Sequence, residues 1–190
     1  MALVITPEQK QSIQKRTVVY SPIYVNGMTP DHRIGAYVLF YIFRDTDTPL
    51  TYTQTSRCIV EYLEDLGNKH PHREHTFVKI GNYSSGAKSR HDSNKGDMIK
   101  NDGNRSPAAK HAQDTLIANA DLYLHFIMIV LSPDPTEKNL EEALVGIVKT
   151  IGNKQGKVIL PAGKWNPPIA LTQKASISNK LAQRIQSKLK

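Results

Sequence analysis

Three short stretches of the chain carry side chains whose types suit chemistry on a phosphate group. They are Gly35-Ala36-Tyr37, Lys79-Ile80-Gly81 with Arg90 nine positions later, and the pair Glu141 and Glu142. Hydrolysis of a phosphodiester needs an activated water, a cation against the phosphate charge and a metal ion that holds the reacting oxygens. Tyrosine can serve as general base, the guanidinium of arginine donates two parallel hydrogen bonds, and one carboxylate is enough to hold Mg²⁺. These stretches therefore contain the residue types of a one-metal phosphodiesterase site.

Taken in this order, the three stretches resemble the GIY-YIG nuclease superfamily. Its members carry a Gly-x-Tyr tripeptide on one strand and a Tyr-x-Gly-like tripeptide on a neighbouring strand. An arginine follows about nine residues later, and a metal-binding glutamate lies on a later helix. Small restriction endonucleases of the superfamily can have lysine first in the second tripeptide, as this chain has Lys79. The resemblance covers roughly residues 34–155. It implies an endonuclease that depends on Mg²⁺ or Mn²⁺ and acts on double-stranded DNA, and palindromic recognition would further imply a homodimer.

The resemblance gives each matching residue an expected role: Tyr37 as general base, Lys79 as its electrostatic partner, Arg90 as phosphate clamp, and Glu141 as metal ligand. Two departures from the family pattern bear on this assignment. The family has histidine or tyrosine four residues beyond the arginine, whereas this chain has Asn94, so His91 or Tyr83 would have to substitute. The tripeptides are also separated by an insertion, residues 44–75. If the substitution fails, the alternative is a non-catalytic nucleic-acid-binding protein, such as a viral or accessory factor, that uses the basic loop 82–106 and the C-terminal helix.

Each candidate also has a structural interpretation. Tyr37 lies among apolar neighbours, where a buried tyrosine commonly bonds a backbone group. Lys79 fits the solvent-facing position of an edge strand, and Arg90 fits a solvated basic loop. Glu141 falls in the first turns of a predicted helix, where the helix dipole favours a carboxylate without any metal. His70, His72 and His75 could suggest zinc, but a zinc site usually needs a fourth ligand, and we interpret them as a polar loop.

The positive charge is confined to two regions. Residues 1–150 hold 17 basic and 17 acidic residues, so the net charge of +8 resides in the eight basic residues of 151–190, where no acid occurs. The stretch 79–110 is also basic, with seven basic against three acidic residues. Such one-signed segments suggest contact with a polyanion, and a solvated basic tail is the alternative. The candidate nucleic-acid-binding residues are Lys88, Lys95, Lys100, Arg105, Lys180, Arg184 and Lys188.

Hydrophobic periodicity predicts the elements that must position these side chains. Strands are expected at 17–25 (broken at Pro22), 34–43, 75–81, 121–131 and 157–161. Helices are expected at the N-terminus, 56–67, 107–120, 136–152 and 176–190, with a partly helical piece at 85–93 before a mobile loop that ends near 106. The expected fold class is α+β, with a small, mostly antiparallel central sheet of three to four strands flanked by helices. We expect one domain, 1–190, with a core at 34–155 and a basic C-terminal extension at 156–190.

Several protein classes are excluded by composition. The single Cys58 cannot form an intramolecular disulfide, and no apolar run reaches the length of a membrane span. The opening segment MALVITPEQKQ lacks the features of a signal peptide. We therefore expect a cytoplasmic protein of a reducing compartment, inside the host cell if it is viral. The C-terminal amphipathic helix lacks Trp and Phe on its apolar face, which favours docking on the protein over lying on a membrane.

Overall fold

The computed structural model describes residues 5–25, 27–65, 73–100, 106–131, 136–160, 177 and 179–190. Six helices are present in these ranges: α1 (Pro7–Lys15), α2 (Tyr52–Asp65), α3 (Ala87–Asp97), α4 (Pro107–Ala118), α5 (Glu137–Gly152) and α6 (Asn179–Leu189). The strands are β1 (Thr17–Val19), β2 (Ile23–Tyr24), β3 (Gly35–Arg44), β4 (Thr76–Tyr83) and β5 (Tyr123–Val130). Within the described residues, no helix is both long and apolar enough to cross a bilayer.

β3 is the centre of the sheet. It pairs antiparallel with β4 on one side and with β5 on the other, and the short β1 and β2 both pair parallel with β5. The expected α+β class, with a mostly antiparallel sheet flanked by helices, is therefore confirmed. The sheet has five strands rather than three or four, because the predicted strand 17–25 divides around Pro22 into β1 and β2. A proline cannot donate a ladder hydrogen bond, which explains the interruption.

The pleat of β3 sends alternate side chains into two separate cores. Odd-numbered residues such as Tyr37 and Leu39 pack with α1, α3 and α4, which we call the α4 side of the sheet. Even-numbered residues such as Val38 and Phe40 pack with α2, α5 and α6, which we call the α5 side. Both faces of β3 are buried, and this agrees with its nearly unbroken run of aromatic and aliphatic residues.

The helices on the α5 side carry clear apolar stripes. α5 buries Leu140, Leu144 and Ile147, and α6 buries Leu181 and Ile185. Thr136 caps α5, because its side chain accepts a hydrogen bond from the backbone of Asn139 at 3.3 Å. The inserted region 44–75 contributes α2, which packs against both α5 and α6.

Two predicted elements differ from the structure. The helical piece expected at 85–93 continues as α3 through Asp97, so the first positions of the expected mobile loop, 94–97, are helical. Its sequence is rich in Ser, Asn and Lys, and the packing of the α4 side, rather than an apolar stripe of its own, holds it in place. The strand expected at 157–161 is reduced in its described part to one bridge, between Val158 and Thr51.

Candidate functional site

The two tripeptides lie side by side in the sheet. Tyr37 of β3 stands opposite Gly81 of β4 in the antiparallel register. The Tyr37 ring crosses over Gly81, since a Cβ atom built there would lie 2.6 Å from the Tyr37 Oη. Gly35 is crossed in the same way by the ring of Tyr83. Both glycines are therefore required by tyrosine rings on the neighbouring strand, which is a packing reason for the two motifs.

Asn94 joins the two tripeptides to α3. Its Nδ2 donates hydrogen bonds to Tyr37 Oη at 3.1 Å and to the Arg90 carbonyl at 3.0 Å. Its Oδ1 accepts a hydrogen bond from Lys79 Nζ. Tyr37, Lys79 and Asn94 are all buried. Position 94 is where the resembled family has histidine or tyrosine, and here its amide is the centre of a buried polar network.

Burial controls the protonation of Tyr37. It raises the pKa of the Tyr37 hydroxyl, and the hydrogen bond from Asn94 and the nearby Arg90 only partly offset this rise. A tyrosine acts as a general base more readily when its pKa is lowered towards the working pH. In this closed arrangement Tyr37 is consequently a hydrogen-bond acceptor inside the protein, and solvent does not reach it.

The surroundings of His91 do not suit it to replace the histidine or tyrosine of the family pattern. Its side chain is buried edge-on against Phe126, and its Nδ1 lies 3.5 Å from Asp92 Oδ1. Burial and the neighbouring Lys95 lower the pKa of the His91 imidazole. Tyr83 packs over Gly35. The hydrogen bond to Tyr37 therefore comes from Asn94, the residue at which this chain departs from the family pattern.

Glu141 is not brought together with Tyr37. It lies on α5, on the α5 side, whereas Tyr37 faces the α4 side, so the sheet stands between them. Its carboxylate oxygens are held by Arg184 Nε at 2.9 Å and by Lys188 Nζ. These two hydrogen bonds lower the pKa of Glu141. Glu141 and Tyr37, to which the resemblance gives a shared site, therefore lie on opposite sides of the sheet, because the helix after β5 packs on the face away from Tyr37.

The carboxylate of Glu141 does not fit a Mg²⁺ site as it stands. Both of its oxygens already face a cation, and a metal ion would have to displace Lys188 and Arg184. Across the described parts of the chain, no group of three or more His, Cys, Asp or Glu side chains could hold a metal ion. The expected magnesium site thus has no preformed set of carboxylate ligands in these parts.

Further polar atoms are buried on the α4 side. Tyr41 Oη and Arg90 Nη1 have no hydrogen-bond partner among the described residues. Asp97 Oδ2 accepts a hydrogen bond from the backbone of Ser106 at 3.1 Å, and Lys100 Nζ lies 3.2 Å from Oδ1. Sequence reasoning missed Asn94 and Asp97. Their spacing from Arg90, four and then seven positions along one helix, is the signal that would have placed all three on one face.

The candidate nucleic-acid-binding residues of the α4 side are mostly unsuited to that role. Lys95 is buried and lies 3.5 Å from Asp92 Oδ1, and the Lys100 side chain is only 20% exposed beside Asp97. Lys88 is exposed and pairs with Asp92 within the same helix at 2.7 Å. Arg105, like His70 and His72 of the histidine-rich loop, lies outside the described residues. The part of the expected loop 82–106 that spans 87–97 is therefore the helix α3, and binding through the rest of this loop stays a prediction.

The remaining candidates project from α6. Lys180 and Lys188 are exposed, and Arg184 is partly exposed while it pairs with Glu141. The apolar residues of this helix face inward, as expected from their spacing. No family model, curated protein or solved structure matches the chain.

Proposed function

We propose that the chain is a nucleic-acid-binding protein that contacts phosphates through the basic face of α6, defined as Lys180, Arg184, Lys188 and Lys190. One observation carries the proposal: α6 buries Leu181 and Ile185 against the core and turns its cations outward. Cationic side chains that neutralise phosphates release bound counterions, and this supplies most of the sequence-independent affinity for nucleic acid.

Charge balance supports this surface. The helix carries no acidic residue, and no acid occurs anywhere in residues 151–190. Glu141 of α5 is the acidic partner of Arg184 and Lys188, so the four cations of the basic face keep a net charge of 4 − 1 = +3. Phosphate contacts of this kind position a protein on the backbone and carry no sequence information.

The arrangement of the other candidates favours binding over cleavage. Tyr37 and Lys79 are sealed on the α4 side with Asn94, and Glu141 is neutralised on the α5 side. A phosphate bound at α6 would be separated by the sheet from the tyrosine. The basic face therefore binds nucleic acid without access to that hydroxyl.

Fluorescence polarisation with a labelled DNA duplex tests the proposal. The double variant Lys180→Ala, Lys190→Ala should bind about tenfold more weakly than the wild type at low salt, because two phosphate contacts are lost. The matched control is Lys10→Ala, Lys15→Ala, which removes the same charge from exposed positions of α1 on the α4 side. Equal weakening by both variants would show that net charge, and not α6, determines the affinity.

Cleavage is the second candidate function, and a separate observation favours it. The two tripeptides of the resembled nucleases are directly paired, and the position four residues beyond Arg90 bonds to Tyr37. A metal-dependent endonuclease of double-stranded DNA would use this side of the sheet after an opening movement that exposes Tyr37 and Lys79.

Supercoiled plasmid distinguishes the two functions. Nicking by the wild type in Mg²⁺ or Mn²⁺, lost in both Tyr37→Phe and Arg90→Ala and kept in Tyr62→Phe, would establish cleavage. Tyr62 is a suitable control because it lies on α2, on the α5 side. The proposed binding function predicts retardation of the plasmid with no nicked product in either metal.

A further inference from the structure

Two histidines from different elements meet at the end of the sheet opposite Tyr37. His75 directly precedes β4, and His111 lies on α4. Their Nε2 atoms are 2.8 Å apart. Their position is next to Phe43, six residues along β3 from Tyr37, and this corresponds to roughly 20 Å at about 3.3 Å per residue. The pair is thus distinct from the Tyr37–Asn94–Lys79 network.

Aromatic packing fixes both imidazole rings. His75 stacks on Phe43 with ring centroids 4.7 Å apart, and His111 stacks on Phe77 with centroids 4.6 Å apart. The centroids of the two imidazole rings are 5.1 Å apart, and the ring planes are inclined at 76° to each other. Both side chains are partly buried, so one edge of the pair remains open to solvent. Neither ring has to reorient for its Nε2 to face the other.

The hydrogen bonds define the protonation state of the pair. A carbonyl oxygen can only accept, so His75 Nδ1 donates to the Arg73 carbonyl at 3.2 Å, and the Nε2 of neutral His75 keeps its lone pair. His111 Nε2 then donates to His75 Nε2. Burial and the neighbouring His75 lower the pKa of His111, which favours the neutral imidazole at this position. Metal ligation requires neutral imidazole.

We propose that His75 and His111 form a binding site for a divalent late first-row transition metal ion such as Zn²⁺, with water completing the coordination. Imidazole is a preferred ligand for these ions. Zn²⁺ binds imidazole nitrogen at about 2.0–2.1 Å, and a tetrahedral angle sets two such nitrogens ~3.3 Å apart. The Nε2 atoms therefore need to separate by ~0.5 Å, and the rings must turn so that both Nε2 lone pairs converge on the metal instead of lying along the Nε2–Nε2 line. The Nε2 proton of His111 moves to its Nδ1 as the metal binds, so two neutral imidazoles remain neutral.

The Arg73 carbonyl would serve this site as an outer partner. Metal-bound histidines usually donate their second ring nitrogen to a carbonyl or carboxylate, which fixes the tautomer and the ring direction. The bond from His75 Nδ1 to Arg73 has that geometry before any metal binds. The metal site is independent of nucleic-acid binding, because it lies on the α4 side and α6 lies on the other.

Isothermal titration of the full chain with ZnCl₂ tests the site. The wild type should bind one Zn²⁺, and His75→Gln and His111→Gln should each weaken binding by at least about tenfold, the loss that even outer partners of a metal cause. The control His32→Gln removes an exposed histidine, and His70→Gln, His72→Gln removes the two nearest histidines in the sequence. Both controls should bind as the wild type does.

Three results would overturn the proposal: no Zn²⁺ binding by the wild type, unchanged binding in His75→Gln and His111→Gln, or loss of binding only in the His70→Gln, His72→Gln control. Imidazole NMR signals of the wild type provide a readout that needs no variant. Zn²⁺ should shift the ring signals of His75 and His111 together. Shifts confined to other histidines would also exclude the site.

Discussion

At the scale of single residues, glycines in the tripeptides provide room for tyrosines on the opposite strand. Gly81→Ala would place a methyl group 2.6 Å from the Tyr37 Oη and 2.8 Å from its Cζ, so the ring must move within a packed core. We expect a loss of about 1–3 kcal/mol in the free energy of unfolding, measured by urea denaturation. The matched substitution Gly146→Ala has open space on helix α5 and should stabilise by up to about 1 kcal/mol. Equal changes in unfolding free energy for Gly81→Ala and Gly146→Ala would contradict the contact between Gly81 and the Tyr37 ring.

Asn94 provides a second residue-scale prediction. Asn94→Ala leaves Lys79 Nζ without its amide acceptor and Tyr37 Oη without its donor in a buried region. Removal of one partner from a buried hydrogen bond costs about 1–3 kcal/mol, so the unfolding free energy should fall by that amount. Asn82→Ala, at an exposed position of β4, should change it by less than about 0.5 kcal/mol. If Asn94→Ala leaves the unfolding free energy nearly unchanged, the network contributes nothing to stability.

The candidate residues show what sequence can and cannot predict at this scale. Residue type and order are sufficient to single out Tyr37, Lys79 and Arg90, which do lie on one side of the sheet. Asn94 is identified only as a departure from a pattern, because its role depends on which side of α3 faces β3. The sequence pattern groups Glu141 with these residues, because spacing along the chain does not determine on which face of the sheet the following helix packs.

At the scale of elements, strong apolar periodicity made β3, β5 and α5 predictable. α3 and the parallel pairing of β1 were not predictable in the same way. α3 has little apolar periodicity and is held by its neighbours, and strand pairing between Thr17 and Leu124 is a long-range choice that local propensity does not determine. The pairing of His75 with His111 was missed for the same reason, since 36 positions separate them.

The docking of α6 gives a prediction for an element. Ile185 is fully buried among the residues of α2 and α5. Ile185→Ala should lower the unfolding free energy by about 2–4 kcal/mol, because transfer and cavity terms add. Lys180→Ala on the outer face of the same helix should change it by less than about 0.5 kcal/mol. If both variants unfold at the wild-type urea concentration, α6 does not dock on the core.

His125 links the sheet to the loop that follows β3. Its Nδ1 accepts from Tyr20 Oη at 2.6 Å, and its Nε2 donates to the Thr46 carbonyl at 2.8 Å. The Tyr20 oxygen in turn accepts from the backbone of Leu50. Burial lowers the pKa of His125, so the folded protein holds the neutral ring. The unfolded chain takes up a proton below its ordinary pKa of about 6.5, which favours unfolding in acid.

The resulting pH dependence can be measured. Stability from the neutral His125 is complete above pH ~6.5 and declines as the pH falls below it, at no more than about 1.4 kcal/mol per pH unit. Between pH 7.5 and 5.0, the wild type should therefore lose up to about 2 kcal/mol more unfolding free energy than His125→Gln. Urea denaturation at the two pH values gives the comparison. An identical loss in the two proteins would show that His125 is not held neutral.

At the scale of the whole molecule, the fold separates the two basic regions found in the sequence. In the described parts of the stretch 79–110, Lys79 and Lys95 are buried on the α4 side, whereas α6 packs on the α5 side. Among the described residues of this stretch, Lys88 and Lys95 pair with Asp92, Lys100 pairs with Asp97, and Lys110 pairs with Asp114. The cations of α6 are presented outward, and they form the surface through which we propose that nucleic acid binds.

The salt dependence of DNA affinity tests this central claim most directly. The slope of log K against log salt is about −0.9 per phosphate contact, so the basic face predicts a slope of roughly −2 to −4 for the wild type. Lys180→Ala should reduce its magnitude by about 1, and Lys10→Ala on α1 should leave it unchanged. A wild-type slope near zero, or equal slopes for the wild type and Lys180→Ala, would contradict binding through α6.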